Sequence, residues 1–305
     1  MRQRLAIIIT LIIVVVVLIA LNAASYVRVE HVSDSESSPD RSTFNSGATG
    51  TQALYDFLRE SHHQVVRWRE PSSSLLNFNG PKPSTFVVIG RLQVPYTKSE
   101  ANEIWRWVAD GGRLVIIDRR PDLLPESTEW KLTTHVSHYP EYDLDPNSFE
   151  QMTAGVSAIH PSQPTALVRD VESVMPSRFV GRTTISTKQS AADSTSENTG
   201  ANDESEDYLD DSEETGLDVA SLQAPVVHFA DSEGAMLLDF AYGNGRIVVL
   251  TDPFMVANNG IGRADNLLLA KNVLAGYGGL IAFDEFHQEG RRPTMRCFNI
   301  FPALP

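Results

Sequence analysis

The chain has 305 residues, 42% of them hydrophobic, a single cysteine and a formal net charge of −14. That length holds one large domain or two small ones. The one thiol, Cys297, lies near the C-terminus, which excludes an intramolecular disulfide and a catalytic cysteine within the domain. No basic stripe is present, which argues against nucleic acid as a partner.

Leu5 to Leu21 is apolar except for Thr10, and Arg2 and Arg4 precede it. A run of about 17 residues is the short end of a membrane-spanning helix. The positive flank keeps the N-terminus cytoplasmic and sends the rest of the chain outward. A cleaved signal peptide ending near Ala20, Ala23 and Ala24 is the rival reading, but the run exceeds the ~7–15 residues of a signal core. Residues 1–25 are therefore read as an anchor. The expected location is the cytoplasmic membrane, single-pass, with the domain outside. Residues 26–45 are polar and Ser-rich, with Pro39, and read as a juxtamembrane linker. The folded domain is expected over 46–290.

Ser46 has the character of an N-cap, and Ala53, Leu54, Phe57 and Leu58 give helical spacing over Ala48 to Glu60. Gln64 to Trp68 predicts a short strand. Phe86 to Ile89 and Leu114 to Ile117 are continuous apolar runs, as buried parallel strands are. Between them Thr97 or Ser99 caps a helix with Ile104, Trp105, Trp107 and Val108 on its apolar side, ended by Gly111-Gly112. This is a βαβ unit. From Pro121 to Ser186 the pattern is weak, with short strands predicted at Ala166 to Val168 and at Phe179-Val180. Ala191 to Asp218 carries eleven acidic residues and no Lys or Arg. An insert at about 187–218 is therefore expected to be disordered. Pro225 to Phe229 and Ala235 to Phe240 predict a hairpin. A turn at Tyr242 to Gly245 leads to a strand over Arg246 to Leu250, a helix over Asn266 to Leu274 and a last strand over Leu280 to Phe283. The predicted fold is α/β, an open and mostly parallel sheet flanked by helices, of a glutamine amidotransferase-like or flavodoxin-like kind.

Such sheets place ligands outside the carboxyl ends of their strands. Asp118, Asp252, Asp284 and Glu285 fall at those ends, and His287 is two residues beyond Glu285 on the same side of an extended segment. Carboxylates with a histidine suit a divalent cation or an acid–base pair. The plainer reading is helix capping and Asx-turns, which Asp252-Pro253 fits without any function. Asn258, Asn259 and Arg263 lie in a polar loop that could close over a ligand at the rim. Asp265 is read first as an N-cap. Gly47 lies before a helix whose N-terminus could take a phosphate. No Walker motif, dinucleotide fingerprint or nucleophile elbow is present, so no cofactor is assigned. His62-His63 reads as a solvated pair.

Ser46-Gly47 with Gly50 to Tyr55, Trp107 to Val115, Gly243-Asn-Gly-Arg246, Thr251-Asp-Pro253, Asn258-Asn259, Asp265-Asn266 and Phe283 to His287, taken in order, resemble domain-of-unknown-function family 4350. The resemblance spans Ser46 to Gly290 without the acidic insert. It implies a bacterial membrane-anchored protein with a class I glutamine amidotransferase-like fold and no established activity. It also implies partners in the envelope, including a MoxR-type ATPase system. Amidotransferase chemistry is not carried over, because no strand-to-helix turn here holds a cysteine. The family pattern continues into a second membrane helix. Residues 291–305 are too short and too polar for one, so truncation is expected.

The leading functional reading is a non-catalytic binding or assembly module on the outer side of the membrane. The rival is a metal-dependent hydrolase built from Asp118, Asp252, Asp284, Glu285 and His287.

Overall fold

A computed structural model describes residues 10–18, 34–77, 79–127, 129–141, 144–187 and 223–288. The chain divides into two units, Met1–Ser33 and Asp34–Pro305. In the first, residues 10–18 form a helix (α1) whose apolar residues Leu11 to Leu18 are exposed. No helix among the described residues is long and apolar enough to cross a membrane. The ends of the predicted anchor, the predicted acidic insert apart from Thr187, and the tail after Gln288 lie outside the described residues.

The second unit begins at Asp34, not at Ser46. Residues 34–45, expected to be a linker, are part of the packed domain, and Glu36, Arg41, Ser42 and Thr43 are buried there. Polar composition suggested a solvated tether. The segment instead buries its polar groups against one another and against the sheet.

The helices are α2 (Gln52–Glu60), α3 (Ser74–Asn77), α4 (Lys98–Ala109), α5 (Phe149–Met152) and α6 (Asn266–Ala275). The strands are β1 (Val65–Trp68), β2 (Thr85–Ile89), β3 (Arg113–Ile117), β4 (Trp130–Val136), β5 (Gly181–Thr187), β6 (Val226–Asp231), β7 (Gly234–Tyr242), β8 (Gly245–Leu250) and β9 (Ile281–Asp284). They form one sheet in the order β1-β9-β2-β3-β8-β7-β5-β4, with β6 also on β7. The first five in that order are parallel, and the contacts of β4, β5, β6 and β7 are antiparallel. The sheet is therefore mixed, where a mostly parallel one was expected.

Two apolar layers cover the parallel strands, as strands buried on both faces require. On one face Val87, Ile89, Val115, Ile117, Val248 and Leu250 meet Leu54 and Leu58 of α2 and Leu269 and Val273 of α6. On the other, Phe86, Val88, Leu114 and Ile116 meet Leu75 of α3 and Ile104, Trp107 and Val108 of α4. Thr97 starts α4 with a capping box: its side chain accepts from the Glu100 N–H, and the Glu100 carboxylate accepts from the Thr97 N–H. Gly111, at φ 112°, follows the end of α4 in a conformation that disfavours a side chain.

The weakly patterned region departs most from expectation. Ala166–Val168 is a 3₁₀ turn, and Phe179-Val180 precedes a strand without joining it. Two strands there, β4 and β5, gave no apolar run, because their sequences mix Thr and charged residues with the apolar ones and most of their positions are only partly buried or exposed. α2 starts at Gln52, four residues after the predicted Ala48, with Thr51 and not Ser46 at the N-cap position.

Candidate functional site at the strand tips

Asp118, Asp252 and Asp284 follow or end the parallel strands β3, β8 and β9, so they share one edge of the sheet, with β2 between β9 and β3. Each is engaged by its own set of protein groups.

Asp252 is fully buried. It accepts hydrogen bonds from the Ser177 N–H at 2.5 Å, the Ser177 hydroxyl at 2.9 Å and the Phe254 N–H at 3.2 Å. It thus caps the short 3₁₀ turn Pro253–Val256, with proline at the position that lacks a useful donor. Burial raises its pKa, and Arg119 and the Ser177 donors oppose that.

Asp284 and His287 pair within one turn. His287 Nδ1 lies 2.9 Å from Asp284 Oδ2, and the Tyr96 hydroxyl donates to the same oxygen. Glu100 of α4 faces His287 Nε2 at 3.6 Å, too long for a hydrogen bond. Burial pushes the His287 pKa down, but Asp284 and Glu100 together hold it above the usual imidazole value. The same contact helps hold Glu100 low, alongside the Thr97 donors and against the opposing effect of burial. The Tyr96 ring lies 4.0 Å from that of His287.

Glu285 points the other way. Its carboxylate accepts from the Ser42 hydroxyl at 2.6 Å, the Thr43 N–H at 2.7 Å and the Thr43 hydroxyl at 2.5 Å. Arg67 of β1 then donates to Thr43 Oγ1 and to its carbonyl, with its guanidinium over the Phe44 ring. The last strand therefore ties down the 34–45 strap. The strap also supplies Glu36 and Arg41. Glu36 accepts from both Arg41 and Arg119, all three in the edge region. Burial works to raise the Glu36 pKa, and the two guanidinium groups more than reverse it.

Asp118 is half-buried near these cations. Its only hydrogen-bond donor among the described residues is the Arg120 N–H at 2.7 Å. Burial pushes its pKa to about 6, with Asp122 adding and Arg119 and Arg41 opposing.

The predicted loop residues act as braces. Asn258 accepts from the Ala53 N–H at 2.9 Å, which gives α2 the cap that the Thr51 side chain does not supply. Its amide donates to the carbonyls of Asn45 and Gly47. Gly47 also lies against the Asp34 carboxylate, which accepts from Thr49. The helix start considered for phosphate is thus lined by the chain's own acceptors. Asn259 donates to the Pro146 carbonyl, and Arg263 stacks over Phe149 at 4.0 Å. Asp265 does not cap α6 through its side chain, contrary to expectation. It accepts from the Glu172 and Ser173 N–H groups and fastens that loop.

The structure thus brings Asp284 together with His287, and Gly47 with Asn258. It does not bring Asp118, Asp252, Asp284, Glu285 and His287 into one ligand set. Among the described residues no group of three or more His, Cys, Asp or Glu is arranged to hold a metal ion. Sequence reasoning missed Glu36, Arg41, Ser42 and Thr43, which the linker assignment hid, and Tyr96, which closes the Asp284–His287 pair. The alternation of charge and hydroxyl over Asp34 to Thr43 was the available signal.

No curated protein matches the chain. Among solved structures, the mmIFT52 N-terminal domain is similar over 77% of this chain and 92% of that one, at 12% identity and a TM-score of 0.45. A sequence model described as "Domain of unknown function (DUF4350)" matches residues 43–274, from the strap through α6, and the chain belongs to that family.

Proposed function

We propose that this chain is a non-catalytic binding or assembly module, held on the outer face of a bacterial cytoplasmic membrane by a helix over Leu5 to Leu21. The observation that carries the non-catalytic part is the strap. In open α/β sheets the crevice beyond the strand ends is where ligands sit. Here residues 34–45 fill that edge, with Ser42 and Thr43 on Glu285 and Glu36 between Arg41 and Arg119. The Ser42 and Thr43 hydroxyls and a terminal nitrogen of each of Arg41 and Arg119 are spent on the protein's own carboxylates. The two-sided cover of the parallel strands favours an amidotransferase-like ancestry for the fold. The apolar run behind Arg2 and Arg4 favours the anchor, and the family resemblance favours partners in an envelope assembly that includes a MoxR-type ATPase.

Two measurements test this reading. Full-length protein with a tag at each end is expected to stay with membranes after alkaline extraction. In spheroplasts, added protease should remove the C-terminal tag while the N-terminal tag survives. Recovery in the soluble fraction, or the reverse protection, overturns the anchor. Turnover of an ester, amide or phosphate substrate by the purified chain, abolished in both Asp252→Ala and Asp284→Ala, overturns the non-catalytic assignment.

A further inference from the structure

The opposite edge of the sheet, where the parallel strands begin, holds a different kind of residue. Arg113 opens β3 and is 4% exposed, yet Nε and both terminal nitrogens lack any hydrogen-bond partner. Thr85, the first residue of β2, is fully buried, and its hydroxyl is also without a partner. Register sets Thr85 beside Arg113 and Arg113 beside Arg246 on β8. Side chains in register on parallel strands project to the same face at a spacing of about 4.8 Å. A hydroxyl and two guanidinium groups therefore stand in one row. Arg246 is partly exposed and spends a donor on Asp239. The Tyr277 ring lies 4.2 Å from the Arg113 guanidinium and is itself well exposed. It sits in the loop Gly276-Tyr-Gly-Gly279, where Gly278 and Gly279 take φ of 69° and 78°.

A buried cation with no acceptor is strongly unfavourable, and its partner is ordinarily an anion with oxygens to offer. The face of Tyr277 offsets part of that cost but accepts none of the N–H groups. Burial lowers the Arg113 pKa to about 10, with Tyr277 and Asp239 opposing and Arg246 adding to the fall. Arg113 therefore remains a cation at neutral pH. Two guanidinium groups against the single carboxylate of Asp239 leave one positive charge. A planar two-oxygen monoanion matches both that charge and the guanidinium fork.

We propose that Thr85, Arg113 and Arg246 form a binding site for a carboxylate group, with Tyr277 as its cover. The carboxylate takes bidentate donation from Arg113 and further donation from Arg246 and the Thr85 hydroxyl. Tyr277 turns aside on its glycine-rich loop to admit it. This site is independent of the strap and of the module reading above.

The test is the melting temperature of the full chain in detergent, with sodium acetate titrated against sodium chloride at matched ionic strength and neutral pH. Acetate is expected to give a saturable rise over chloride, about 5–10 °C at a hundredfold excess over Kd. Arg113→Met should abolish that rise, Arg246→Gln should raise the half-saturating concentration about tenfold or more, and Tyr277→Ala should lower it. If Arg113→Met does not fold, the partly exposed Arg246→Gln carries the same test. No saturable response in the unaltered chain, or an unchanged response in these arginine variants, overturns the site. A response to inorganic phosphate that exceeds the one to acetate overturns the carboxylate assignment.

Discussion

The two edges of the sheet bury charge in opposite ways. Where the parallel strands end, Asp118, Asp252, Asp284 and Glu285 all have at least one donor, and Glu36 has two arginines. Where the strands begin, the Arg113 guanidinium has no acceptor. The first edge is rich in the residue types that usually mark a site, yet each of these side chains makes at least one bond within the fold, and only single atoms such as Arg41 Nε and His287 Nε2 lack a hydrogen-bond partner. The second carries few such residues, and leaves the whole Arg113 guanidinium and the Thr85 hydroxyl without a hydrogen-bond partner. What separates a structural polar group from an available one is the state of its partners, not its chemical type.

The largest expected effect breaks the compensated edge. Glu36→Gln leaves Arg41 and Arg119 facing a neutral amide in a buried setting, and a loss of about 3–5 kcal/mol is expected from urea unfolding at neutral pH. The Glu36 pKa is depressed in the folded chain, so the stability it supplies is present above the usual glutamate value and fades as pH falls through the lowered one. The Glu36→Gln deficit should shrink in acid accordingly. At the other edge, Arg113→Met removes a cation that has no acceptor to lose, and no comparable deficit is expected without added anion. Equal losses at the two positions would erase the distinction between the edges.

Much of the frame was legible in the sequence, for a physical reason. Phe86 to Ile89 and Leu114 to Ile117 are buried on both faces, and continuous apolar runs leave few alternatives. The cap of α4 is local chemistry, and Thr97, one of the two candidates, fills it, with Glu100 three residues on. β4 and β5 were not legible, because β4 is held by its pairing with β5, and β5 by β4 and β7, more than by their own compositions. The strap was missed for a related reason. The partners of Ser42 and Thr43 lie more than 240 residues away at Glu285, and no local pattern encodes them. Asp265 and Asn258 were read by local rules, but their side chains bond to distant backbone.

A smaller effect tests whether the strap depends on that distant anchor. Glu285→Ala leaves the Ser42 hydroxyl and both Thr43 donors without their acceptor, at an expected cost of about 2–3 kcal/mol. Limited trypsin digestion should then cut after Arg41 sooner than in the unaltered chain, because Arg41 is buried when the strap is seated. Unchanged cleavage at Arg41 would mean that the ion triad alone holds the segment.

The smallest effect has the opposite sign and sharpens the comparison within one edge. Asp118 has a single backbone donor, and burial lifts its pKa from the ordinary aspartate value to about 6. Between those values the folded chain binds more protons at this group than the unfolded chain does. The group therefore favours the folded state below the unfolded pKa, and that contribution is lost as pH rises towards and past about 6. At neutral pH its charge opposes folding. Asn keeps an oxygen to accept from the Arg120 N–H and carries no charge, so Asp118→Asn should stabilise the chain by about 1–2 kcal/mol at pH 7.5. The gain should vanish near pH 4, where the native carboxyl is already protonated. Melting curves at the two pH values decide it: a gain of equal size at both would assign the effect to packing, and a loss at pH 7.5 would show that the Asp118 charge is compensated by Arg41 and Arg119 after all.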